Sequence, residues 1–110
     1  MNEYSVKSGM PSVSEALIRL QTFIKMTQKK ERIIKIVHGY GSSGVGGSIK
    51  EAVRAYLAEQ KNKGLIKSYI PGEAFSQMMG FDAEIKTYQF LLEKDSDYRK
   101  SNSGITYIIF

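Results

Sequence analysis

The sequence predicts a two-layer α/β sandwich: a four-stranded mixed sheet with two principal helices on one face and an extra helix inserted before the last strand. Three observations predict it. Short β-branched runs alternate with longer stretches whose apolar residues recur every three to four positions. Two right-handed crossovers between successive strands would place both helices on the same face. A length of 110 residues suits one modest core, so the whole chain reads as a single domain.

The elements follow in order. Tyr4 to Ser8 alternates weakly and runs into Gly9-Met10-Pro11, a short strand ending in a turn. Ser12 and Glu15 have the spacing of a capping box. Apolar residues at 13, 16, 17, 20, 23 and 24, with Thr27, then predict a helix ending near Lys30. Ile33 to Val37 is the clearest strand, β-branched and stopped by His38-Gly39. Ser48 and Glu51 suggest a second capping box, opening a helix with apolar positions 49, 52, 53, 56 and 57. Gly64 is placed to close that helix. Leu65 to Ile70 reads as a third strand, stopped by Pro71-Gly72. Phe81, Ile85, Tyr88 and Leu92 form one helical stripe inside the apparent insertion at 71–104. Asp95 to Ser103 is polar and turn-rich, which predicts a mobile surface loop. Ile105 to Phe110 forms the final strand, whose pairing direction the sequence leaves open.

Composition narrows the function classes. Apolar residues at 42% and charged residues at 25% are ordinary globular values, which excludes long disorder and collagen-like repeats. The absence of cysteine removes disulfides, zinc–thiolate sites and cysteine nucleophiles. A single histidine, His38, excludes a multi-histidine metal site. No run approaches the ~18 apolar residues of a spanning helix, and the start lacks an apolar signal core, so the expectation is a cytoplasmic protein without a membrane partner. Charge is unevenly spread. Residues 1–70 hold twelve Lys and Arg against five Asp and Glu, whereas residues 71–110 hold four against six. A basic body suits a polyanionic partner such as DNA or RNA, and equally suits a solubilising surface. Its densest basic group, Lys25, Lys29, Lys30 and Arg32, matches the negative end of the first helix dipole.

One stretch carries chemistry: His38 to Ser48, which joins a strand to a helix. Gly39, Gly41 and Gly44 allow close backbone approach, and the helix start that follows offers unpaired amides and a partial positive charge. Ser42, Ser43 and Ser48 add hydroxyl donors; Lys50 and Arg54 add cations in the first two helical turns. A phosphate is the natural guest, and a merely flexible connection is the alternative. No Lys-Ser/Thr follows the glycines, which excludes a Walker A loop. Gly39 to Gly44 matches G-x-G-x-x-G, yet the nearest acids, Glu59 and Glu73, are poorly placed for a dinucleotide ribose. His38 at the strand end reads as a phosphate ligand, an acid–base group, or a side chain that orients the turn by a backbone hydrogen bond. Tyr40 reads as a base-stacking platform or as turn packing. The stripe of the third helix reads as core cover or, with Met78 and Met79 nearby, as a protein-interaction surface.

The order of these parts resembles the Smr (small MutS-related) domain. The likeness rests on His38-Gly39-Tyr40-Gly41, on Ile49-Lys50-Glu51-Ala52-Val53 and Tyr56-Leu57, on the helix from Ser12 to Leu17, on Ile66 to Tyr69, and on Gly104 to Ile109. It implies a βαβαββ sandwich like the C-terminal domain of a bacterial translation initiation factor, and DNA or RNA binding. It also implies nicking or RNA-cleaving endonuclease activity in some members, for which His38 would be the catalytic candidate here. Three departures stand out. The glycine turn is longer, a segment containing the third helix is inserted, and the first strand, Ser5-Val6-Lys7-Ser8-Gly9, lacks the family's acidic residue. Cleavage needs an activated nucleophile and charge stabilisation, and the sequence brings no acidic pair to the turn. The expectation is therefore weakly sequence-specific nucleic-acid binding with no cofactor, a divalent metal entering only for a nuclease. An interaction module built on 71–104 is a further alternative.

Overall fold

A computed structural model describes residues 1–40 and 45–110. Its elements are β1 (Glu3–Ser5), α1 (Val13–Thr27), β2 (Ile33–Val37), α2 (Val45–Asn62), β3 (Ser68–Pro71), α3 (Asp82–Leu92) and β4 (Ile105–Ile109), with a 3-10 turn, Gly72–Phe75, directly after β3. The sheet order is β1-β2-β4-β3. β1 pairs parallel to β2, with Tyr4 opposite Ile36. β4 lies between β2 and β3 and runs antiparallel to both, with Ile109 opposite Ile33 on one side and Ser68 on the other. Strands β1, β2 and β3 therefore share one direction. Their C-terminal ends, the start of β4 and the N-termini of α1 and α2 all meet at one edge.

Local sequence explains α1 well. Ser12 Oγ accepts from the Glu15 amide at 3.1 Å and Glu15 accepts from the Ser12 amide at 3.3 Å, the expected capping box. Ala16, Leu20, Ile24 and Thr27 form its buried stripe. The helix stops at Thr27, short of Lys30, because the Thr27 carbonyl takes the amides of Lys30 and Glu31 in a turn that starts the run into β2. The basic residues beyond it lie at the N-terminal edge of β2, away from the glycine turn, and Arg32 stacks on the Phe90 ring at 5.1 Å.

Helix α2 departs from its predicted start. It begins at Val45, so Ser48 lies inside the first turn, not at the N-cap position. Gly46 and Gly47 are tolerated there because first-turn amides have no intrahelical partner in any case, which leaves glycine little to lose. Ile49, Val53 and Leu57 are buried as the periodicity predicts. Gly64, at φ +75°, ends the helix in a Schellman pattern: its amide bonds Lys61 O and that of Leu65 bonds Gln60 O. The third strand is shifted to Ser68–Pro71, with the proline at its end.

The sheet separates two apolar clusters. Ile34, Ile36 and Ile108 face α1 and α2, packing with Leu20, Val53 and Leu57. These form the expected two-layer sandwich. Ile33, Ile105, Tyr107 and Ile109 face the other way, where the 3-10 turn and α3 cover them with Ala74 and Leu92, flanked by Ile85 and Tyr88. Each fully buried Leu or Ile contributes about 1.5–3 kcal/mol by leaving water. Lys35 shares this second face and is 2% exposed. Its Nζ meets Asp97 Oδ2 at 2.7 Å and Asp95 Oδ2 at 3.0 Å, while Tyr107 Oη donates to Asp95 at 2.8 Å. Burial alone would push the Lys35 pKa down, but the two carboxylates outweigh it and hold the ammonium above its ordinary value. The segment from Asp95 is thus clamped to the sheet, where its polar composition had predicted a mobile loop. Among the described residues, no helix is long and apolar enough to cross a membrane.

Candidate functional site

The shared strand-end edge brings together four short segments: Lys7 after β1, His38 to Tyr40 after β2, Gly72 and Glu73 after β3, and Asn102 to Gly104 before β4. This is the edge at which open α/β sheets bind ligands. The Gly104 carbonyl accepts from the His38 amide at 3.0 Å and the Gly39 amide at 3.1 Å. Gly39 has φ +84°, and a Cβ there would lie 3.2 Å from Lys7 Cδ. Tyr40 is 63% exposed. Its ring lies over Gly104, where a Cβ would come within 3.3 Å of it. At Gly72 a Cβ would sit 2.0 Å from the Asn102 carbonyl oxygen, so only glycine fits. Asn102 spans the gap: its Nδ2 donates to Asp97 at 3.0 Å and its Oδ1 accepts from the Gly104 amide at 2.9 Å.

His38 lies beneath this edge and has no exposed surface. Nδ1 is 2.9 Å from the Gly39 carbonyl and Nε2 is 2.8 Å from Thr106 Oγ1. A carbonyl only accepts, so Nδ1 carries the hydrogen and Nε2 receives the Thr106 hydroxyl. Thr106 Oγ1 then accepts from Arg54 Nε at 3.2 Å. Burial first, then the nearby Arg54 and Lys50 charges, lower the His38 pKa to about 4. The imidazole is neutral at pH 7. Of the roles open from sequence, the geometry displays the one that orients the turn.

Arg54 and Lys50 converge on Glu73. The guanidinium clasps this carboxylate bidentately, Nη1 to Oε2 at 2.7 Å and Nη2 to Oε1 at 2.6 Å, and Nη2 also reaches Ile105 O at 3.3 Å. With Nε on Thr106, four of the five guanidinium N–H groups are engaged. Lys50 Nζ lies 3.0 Å from Glu73 Oε2 and is the more exposed cation, its side chain 21% accessible against 16% for Arg54. Burial would raise the Glu73 pKa, but the Arg54 hydrogen bonds, with those from Lys50, lower it to about 2. Ser48 is exposed on the first turn of α2, and Gly41, Ser42, Ser43 and Gly44 lie outside the described residues.

Three contributors escaped the sequence reading: Lys7, Thr106 and Glu73 in this role. Thr106 carried a signal, as a polar residue within an apolar final strand, and so did Glu73, as an isolated acid straight after a strand. Among the described residues, no group of three or more His, Asp or Glu is placed to hold a metal ion. The edge therefore presents an open aromatic ring, the exposed Lys7, the part-buried Lys50 and a pinned turn.

No curated protein and no solved structure matches the chain. The Smr domain family model matches residues 8–80, two-thirds of the chain, from the end of the first strand segment to just before α3. By that match the chain belongs to the Smr domain family.

Proposed function

We propose that this protein binds DNA or RNA through backbone phosphates at the strand-end edge, with weak sequence preference. Membership of a family that generally binds or nicks nucleic acids carries the reading. In it, the turn from Gly39 to Ser48, with Gly41, Ser42, Ser43 and Gly44 at its centre, and the start of α2 receive phosphate oxygens. Lys50 and Lys7 supply charge, and Tyr40 stacks on a base. Arg54 acts through Glu73 and Thr106 as a positioning residue, and His38 fixes the carbonyl of Gly39. Binding without cleavage is favoured by the burial of His38 and by the engagement of Glu73 with two cations. Gly72 and Glu73, with Asn102 to Gly104, flank the other side of this edge.

A salt titration tests the proposal. Affinity for a 20-nucleotide single strand should fall steeply between 50 and 200 mM salt, and Lys50→Gln should reduce the log–log slope by about 0.7 while the Arg54 clasp on Glu73 keeps the edge folded. Affinity independent of salt, or no binding to DNA or RNA, would remove the reading. Metal-dependent nicking lost in His38→Ala would replace it with the nuclease.

A further inference from the structure

We propose that the end of the sheet opposite the strand-end edge carries a second site, a groove that receives an acidic peptide: one apolar side chain flanked by carboxylates. The groove has a volume of about 420 Å³ and lies between the turn that ends α1 and the turn that joins α2 to β3. Leu65, Ile66 and Phe110 give it an apolar lining. The residue that follows a helix-ending glycine commonly packs back on its helix. Leu65 is instead 61% exposed, and Phe110 is only half-buried, so a guest side chain covers apolar surface that water now wets.

Lys29, from the turn after α1, and Lys67, just before β3, line the same groove. Both are exposed, and among the described residues neither lies within ion-pair distance of a carboxylate. Helix-dipole pairing accounts for Lys29 but not for Lys67, which belongs to no helix. The acids closest in sequence are engaged, Glu31 by Asn2 and Tyr4 and Glu59 by Lys63. The charge a partner must bring is therefore negative. Two features favour a peptide over a nucleic-acid strand. Gly64 can line the groove only with main chain; its amide is spent on Lys61 O, and among the described residues no backbone amide donates to its carbonyl. A peptide backbone brings N–H donors to such a carbonyl, whereas a phosphodiester backbone brings none. The lining at Leu65 and Ile66 is also aliphatic, which suits an apolar side chain better than a stacked base.

The probe is a capped peptide, Gly-Asp-Glu-Leu-Glu-Asp-Gly, titrated into the full chain while backbone amides are followed by NMR. Binding should shift Gly64, Leu65, Lys67 and Phe110 and leave Gly39 and Tyr40 in place. A peptide with serine for the leucine keeps the charge and should bind about tenfold more weakly, because the buried apolar side chain is lost. Leu65→Ser should weaken the leucine peptide, and Lys29→Gln and Lys67→Gln should each weaken it about threefold, the usual effect of an exposed ion pair. All three side chains are exposed, so these variants test contacts rather than folding. No shift at millimolar peptide overturns the proposal. Equal affinity for the serine peptide also overturns it, by reducing the groove to a charged surface. A 20-nucleotide single strand is the remaining arm. If it shifts Gly39 and Tyr40 alone, the two ends carry separate sites, as proposed; if it displaces the peptide from Leu65 and Lys67, the groove belongs to a nucleic-acid surface and the proposal falls.

Discussion

Each face of the sheet carries a buried ion cluster, and the two differ in which charge is in excess. On the α3 face one lysine, Lys35, meets Asp95, Asp97 and, at 3.7 Å, Glu3. On the α2 face one acid, Glu73, meets Arg54 and Lys50. The first cluster has a buried centre, Lys35 and Asp95 at 3% and 8% side-chain accessibility, with Asp97 and Glu3 nearer solvent, and it ties the 95–104 segment to the centre of the sheet. The second has Lys50, 21% accessible, at its outer side. Buried ion pairs are weak evidence for net stability, because desolvation offsets much of their attraction. What distinguishes these two is the residual charge and where it points. An acid-rich cluster around a buried lysine acts as a clamp, whereas a cation-rich cluster beside the strand-end edge suits an anionic guest.

The largest effect expected from this contrast is on the clamp. Lys35→Met leaves the buried Asp95 and the part-buried Asp97 without their cation and should cost about 3–5 kcal/mol in denaturant unfolding. Adding Asp95→Leu and Asp97→Asn to it should recover a large part of that loss, since an apolar replacement of a buried ion cluster is often neutral. A Lys35→Met protein as stable as the wild type would show that this lysine is hydrated and that the two clusters do not differ in kind.

Acid separates the two regions next. His38 is buried and neutral with its pKa lowered to about 4, so between pH 6.5 and pH 4 the unfolded chain binds a proton that the folded chain does not. Stability from this group is complete above pH 6.5 and is lost as pH falls towards 4, by up to about 3 kcal/mol. The carboxylates act later. Hydrogen bonds from Asn102 and Lys35 lower the Asp97 pKa, and Glu73 is lowered to about 2, so their contributions are present above the ordinary carboxylate range and vanish below it. Urea unfolding at successive pH values should show a first decline below pH 6.5 that His38→Asn removes, and a second below pH 4 that it leaves in place. A wild-type profile flat down to pH 4.5 would mean that the imidazole is reached by water.

Local rules in the sequence explain part of this molecule and fail at particular residues. The Ser12–Glu15 box, the β-branched run of β2 and the stripe of Phe81, Ile85, Tyr88 and Leu92 were legible because each is decided within a few neighbouring positions. At Ser48 the box pattern is present, yet α2 begins three residues earlier, at Val45, so the pattern alone did not set the helix start. Asp95 and Asp97 read as solvent residues because nothing local reveals that their partner, sixty positions earlier, is buried. Lys35 held the missing clue, a lone charge in a strand apolar on both faces. At the candidate site, the turn, Lys50 and Arg54 were visible as residue types with phosphate chemistry. Their shared partner Glu73 was not, since 19 positions separate it from Arg54 and no periodicity links them.

The smallest expected effect probes a side chain that joins the two regions. Asn102 receives its place from Asp97 of the clamp and passes it to Gly104, whose carbonyl holds the His38 and Gly39 amides. Asn102→Ala removes two hydrogen bonds at a half-buried position and should cost about 1 kcal/mol, the net worth of such bonds once water replaces them. Its spectrum is more informative than its stability. If the clamp positions the turn, backbone amide shifts should extend from Asp97 through Gly104 to Gly39 and Tyr40, and affinity for a single-stranded oligonucleotide should fall while its salt slope stays unchanged, because no phosphate contact has been removed. Shifts confined to 95–104, with affinity intact, would show two independent clusters that merely share a sheet.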